Sequence, residues 1–135
     1  EAALLLQVEQ CAVQALAVYR RGAVSEFFRQ QGTPAPALVA SVVRQWFFPY
    51  LCREDIALLT ASLLAAPADG VRRGALATAA VVVRLQPVVE SLAREAGNGG
   101  GGAEAVFRAM CAPAFTRLRL QDPETAALLL DLDSF

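Results

Sequence analysis

The chain contains no histidine and no lysine. Without imidazole it lacks the commonest general base, the commonest metal ligand and the side chain that titrates nearest neutral pH. Without lysine there is no Schiff-base amine and no phosphate-binding P-loop of the usual kind. Ser25, Ser41, Ser62 and Ser91 therefore have no basic partner to activate them, and no Gly-x-Ser-x-Gly turn is present. Carboxylates stand close together at Glu54-Asp55, Glu90 with Glu95, and Asp131 with Asp133. The pattern puts all of them on polar faces or helix ends, not in a cleft where acid and base roles could be divided. These absences predict a non-enzymatic domain with no cofactor and no metal.

Cysteine is scarce, at three residues, Cys11, Cys52 and Cys111. An odd number so widely spaced fits neither a disulfide framework nor a zinc pattern. Each has apolar neighbours in sequence, which reads as reduced core thiols of an intracellular protein, with cytoplasm and nucleus not distinguished.

Charge is also sparse, at 19% of residues, and nearly balanced: 12 arginines against 13 acids, for a net charge of −1. Such a chain does not build the positive field that holds nucleic acid or an anionic membrane. The longest apolar run, Ala75 to Val83, is bracketed by Arg72, Arg73 and Arg84 and is too short for a transmembrane span. The first residues lack the cationic start of a signal peptide, and with no initiator methionine the chain reads as a piece of something longer.

What is abundant is apolar side chain, at 56% of the 135 residues. That is more than one core of this size usually carries, so either the core is large or some apolar surface is meant for a partner. The periodicity is helical throughout, and no Asn-Gly or Asp-Gly turn joins alternating runs. A first helix over Glu1 to Arg21 carries Leu5, Val8, Ala12, Ala15, Leu16 and Tyr19 on one stripe, and Gly22 ends or bends it. A short helix follows to Gln31, with Val24, Phe27 and Phe28 inward. Gly32-Thr33-Pro34 then reads as a stop, an N-cap and a first helical position. The next helix is expected to run through Leu38, Val39, Val42, Val43, Trp46 and Phe47 until Pro49 breaks it.

Beyond Pro49 one helix should face inward through Ile56, Leu59, Leu63 and Leu64, up to a boundary at Pro67-Ala68-Asp69-Gly70. The segment from Val71 to Ala96 is apolar all round between Ala75 and Val83, which marks a central helix, kinked at Pro87. Gly97 to Gly102 has almost nothing that can pack, so it is a flexible loop or an engineered linker. The segment 103–135 should dock back through Val106, Phe107, Met110 and Phe115. Asp122-Pro123-Glu124 announces a last helix, to Leu132, whose acidic and leucine-rich end either covers the core or inserts into a partner groove.

The sequence thus predicts one all-α domain over residues 1–135, an irregular helical bundle of six to eight helices, with HEAT- or armadillo-like packing as the alternative. No position recurs at a fixed period. The expected function is protein–protein interaction, as an adaptor or scaffold domain of a larger intracellular protein that binds another protein or a peptide through an apolar groove or face. The alternatives are a homo-oligomer built on the same surface and a pocket for an apolar small molecule or lipid. Consecutive aromatics on a helix point about 100° apart and cannot all face one way, so at least one of Trp46, Phe47 and Phe48 should approach the surface or a groove. The candidate partner-binding residues are accordingly Trp46, Phe48 and Tyr50, with Arg44 and Arg53 as a charged rim. The arginine pairs Arg20-Arg21 and Arg72-Arg73 read as solvated helix ends in preference to an anion site.

Overall fold

A computed structural model describes residues 2–48, 50–96, 102–111 and 118–133. Among them are seven α-helices and no strand, so the chain is all-α as expected. They are α1 (Ala2–Val18), α2 (Ala23–Gln30), α3 (Ala35–Arg44), α4 (Arg53–Ala65), α5 (Pro67–Ala96), α6 (Ala103–Met110) and α7 (Pro123–Asp133).

Helix α5 is the centre, touching all six of the others. Its run Ala75 to Val83 explains why: only Leu76 and Val83 are even partly accessible, and the one hydroxyl there, Thr78, is satisfied by donating to the Gly74 carbonyl at 2.7 Å. Small alanines at 75, 77, 79 and 80 let neighbouring helices come close, and Val81, Val82, Leu85 and Val89 fill the space between them. By length and composition alone α5 could cross a membrane, but half of its most apolar window is buried inside this fold. Pro87 does not end it, since the helix continues to Ala96.

Helix α1 packs on α5 and α3 with Val8, Ala12 and Leu16 fully buried, and Tyr19, which opens the 3-10 turn after it, continues the stripe. The bend at Gly22 is sharper than one glycine implies. Arg20 (φ 50°) and Arg21 (φ 57°) join Gly22 in left-handed geometry, and the Arg20 guanidinium lies 5.1 Å from the Tyr19 ring. Helix α2 then buries Val24 and Phe28, with Phe27 against Phe28 edge to face.

Three boundaries and one facing differ from the sequence reading. Pro34 and not Thr33 is the N-cap of α3, so the helix starts one position later. Helix α3 stops at Arg44, because Trp46 (φ 48°) and Phe47 (φ 67°) turn left-handed and their N–H groups close back on the Val43 and Val42 carbonyls. That is a Schellman cap, made here without the glycine it usually employs. Helix α5 starts at Pro67, and only Ala66 separates it from α4. This tight return needs Gly70: a Cβ there would lie 2.4 Å from the Leu63 Cα, so the two helix backbones touch at that point. Finally, Leu64 is 70% exposed and does not share the inward face of α4.

The C-terminal helices pack on the same centre. Helix α6 buries Ala105, Val106 and Ala109, but Phe107 points outward, since a neighbour in sequence lies about 100° around the helix. Helix α7 runs antiparallel to α5, with Arg84 bonded to Glu124 at 3.0 Å near one end and Arg72 bonded to Asp133 at the other. Leu132 is buried and Leu130 exposed, so α7 covers the core with one side only. Phe115 and residues 97–101 of the glycine run lie outside the described residues. Gly102 donates its N–H to the Gln31 side chain at 3.0 Å.

Candidate interaction surface

The aromatic segment after α3 divides its side chains between core and solvent. Phe47 is fully buried, and Phe48, the next residue, is 72% exposed. Trp46 lies between these extremes: its ring meets Phe47 edge to face at 4.9 Å, and its Nε1–H donates to the Thr60 hydroxyl on α4 at 2.7 Å. The Thr60 hydroxyl in turn donates to the Ile56 carbonyl at 2.8 Å, so a short chain of hydrogen bonds anchors the indole to α4. The indole is thus held by core, α4 and a hydrogen bond together, with part of its surface still accessible.

Tyr50 is buried as well, and burial first, then the Cys111 thiol, push its phenol above the ordinary range. Among the five candidate partner-binding residues, then, Phe48, Arg44 and Arg53 are exposed, whereas Trp46 and Tyr50 face the fold. The backbone explains the split. Once the segment leaves helical geometry at Trp46, the 100° step between neighbours no longer governs where its side chains go.

The thiols correct the expectation of buried, core cysteines. Cys11 and Cys111 are exposed and Cys52 is half-buried, so none is a core residue. Apolar neighbours in sequence do not imply a shared face: Cys11 sits beside fully buried Ala12 but one step around α1. Cys52 donates to the Asp55 carboxylate at 3.1 Å, and burial followed by that carboxylate raise its pKa.

Asp55 is a feature the sequence does not reveal. It is buried in the first turn of α4, where a carboxylate suits the positive helix end, and it also accepts the Leu120 N–H at 2.7 Å. Just before it, Tyr50 and Cys52 exchange backbone hydrogen bonds with Leu118 at 2.8 and 2.9 Å. Three hydrogen bonds thus clasp the entry to α4 to the entry to α7.

Between these helices, with α5 as floor, lies a shallow groove of about 250 Å³, lined by Leu58, Leu76, Leu120 and Leu129 with Arg73 and Asp55 at its polar margin. A wider one of about 470 Å³ lies on the other side of α7, against α1, and Cys11 opens onto it. Among the described residues no cluster of acids and thiols could hold a metal. Arg72 and Arg73 are each paired with an aspartate, Asp133 and Asp69 respectively.

The largest surprise is the outer side of α4. Beyond its first turn every exposed residue on that helix is apolar: Ala57, Leu58, Ala61, Leu64 and Ala65. They recur at three- and four-residue spacing, which places them on one face. Among the other described residues the exposed large apolar ones come one to an element, except on α1, where Leu6 and Val18 are separated by three turns and about 120° of rotation. No protein-family model, curated protein or solved structure matches this chain.

Proposed function

We propose that this chain is a non-enzymatic protein–protein interaction module of a scaffold or adaptor type, and that its docking surface is the outer face of α4. The observation that carries the reading is the stripe Ala57, Leu58, Ala61, Leu64 and Ala65, exposed and without a charge. A surface helix normally turns polar residues to water, and a helix that is apolar on both sides has a second neighbour. The groove beside Leu58 widens the surface toward α7, and Arg53 and Glu54 supply a polar rim at one end. Phe48 is a second, separate point where an aromatic meets solvent.

A photo-crosslinking amino acid placed at Leu64 tests this. Discrete protein adducts are expected from Leu64 and not from the same group at exposed Gln10 on α1. Equal, diffuse labelling at both positions overturns the assignment of the surface.

A further inference from the structure

We infer that the occupant of the α4 face is a second copy of this chain, laid antiparallel about a two-fold axis that passes beside Ala61; this rests on the reading of that face as a docking surface. The reason is the order of large and small residues along it. Counted from Ala61, the exposed positions are Ala at −4, Leu at −3, Ala at 0, Leu at +3 and Ala at +4. The stripe therefore reads the same in both directions.

A two-fold interface must be complementary to itself, so a symmetric stripe is the pattern it requires. Helical geometry makes the match specific. Residues −3 and +4 fall on one flank of the stripe and residues +3 and −4 on the other, from the 100° step per residue. When the second helix is turned end for end, Leu58 comes to lie over the partner's Ala65, and Leu64 over the partner's Ala57. Each large side chain then meets a small one at nearly the same height, and the two Ala61 residues, meeting at the axis, let the backbones approach closely.

A parallel pairing would seat leucine over alanine equally well, and the charges decide against it. Glu54 lies two turns before Ala61, close to the centre line of the same face, so a parallel pair would set two exposed carboxylates side by side. The antiparallel pair moves them to opposite ends, about 21 Å apart at 1.5 Å per residue, and opposes the two helix dipoles. Arg53 and Glu54 both come to the carbonyl end of the partner helix, where the cation is favoured and the carboxylate is not, so these two offset each other and the separation of the two Glu54 carboxylates decides the orientation. One pair of 13-residue helices is less than a standard interface of about 1,600 Å², so the dimer belongs to the weak, reversible class.

Sedimentation equilibrium of the whole chain over a wide concentration range is expected to show a reversible monomer–dimer equilibrium. Leu64→Glu and Leu58→Glu should each weaken it about a hundredfold or more, because a two-fold interface counts every substitution twice, with the melting temperature unchanged. The geometry has its own readout. On a Cys11→Ser, Cys111→Ser background, Ala61→Cys should form an intermolecular disulfide under mild oxidation and Glu54→Cys should not. Ready crosslinking through Glu54→Cys overturns the antiparallel arrangement. A monomer at every concentration overturns self-association, and the crosslinks from Leu64 then separate the two readings: adducts to a different protein leave the docking surface standing, and their absence removes both.

Discussion

Asp55 and Leu120 are 65 positions apart in sequence and joined by a 2.7 Å hydrogen bond from the Leu120 N–H to the Asp55 carboxylate. Because Asp55 is buried, removing its carboxylate strands a backbone donor as well as losing the favourable charge at the start of α4. Asp55→Ala should destabilise the fold by about 2–3 kcal/mol in urea denaturation, in the range of hydrogen bonds to charged groups. Asp55→Asn keeps an acceptor and should lose clearly less. Equal losses for the two variants would show that the bond to Leu120 is not what the carboxylate contributes.

Gly70 offers a sharper test of packing. Its missing Cβ would lie 2.4 Å from the Leu63 Cα, and backbone cannot step aside as a flexible side-chain end can. Gly70→Ala should therefore cost about 3 kcal/mol or more through overpacking, although alanine is the better helix former. A neutral or stabilising result would mean that α4 and α5 are further apart than described.

The three consecutive aromatics should separate cleanly on thermal or chemical denaturation. Phe47→Ala empties a fully buried site and should cost about 3–5 kcal/mol. Trp46→Ala loses partial burial and the bond to Thr60 but relieves little backbone strain, since alanine also resists positive φ; about 2–4 kcal/mol is expected. Phe48→Ala should stay within about 0.5 kcal/mol of the parent, as exposed positions do. Phe48 as costly as Phe47 would overturn the turn geometry.

These two left-handed residues also mark how far the sequence alone can be read. The same cap closes α2 and α3. After α2 the left-handed position is Gly32, its N–H bonded to the Arg29 carbonyl and that of Thr33 to Phe28. Glycine announces that stop. After α3 the position is Trp46, whose aromatic continues the apolar periodicity, so the pattern runs on to Phe47 although the backbone has already turned. There tertiary packing overrides local preference.

Helices α2, α3 and α6 have one dominant apolar stripe each, which the sequence displays, and α5 was legible as central because it has no polar side at all between Ala75 and Val83. The outer face of α4 was not, for the converse reason. With apolar residues on both sides, periodicity cannot say which side is inside, and Leu64 reads as core until α5 is seen to pack elsewhere. Asp55 was hidden too, since its partner Leu120 is distant in sequence and contributes only backbone.

Thiol accessibility separates the cysteines. Ellman's reagent should modify exposed Cys11 and Cys111 rapidly in native buffer and Cys52 slowly. The direction with pH follows from the raised pKa of Cys52: its thiolate appears only at higher pH than usual for a free thiol, so its labelling should accelerate late in an alkaline titration. Mass mapping that finds Cys52 labelled first would contradict the contact with Asp55.

The clasp between the entries to α4 and α7 also sets an order of events in time. Its partners come from distant parts of the chain, and none of its bonds can form until the intervening segment has been drawn into place, which is the slow, entropically opposed kind of contact. The local hairpin of α4 and α5, turned by a single residue, has no such delay. The expected sequence on refolding is therefore the α4–α5 hairpin early and α7 late. The same order reversed is expected on unfolding, with α7 released before the hairpin opens, and with it would go the wall that divides the two grooves on α5.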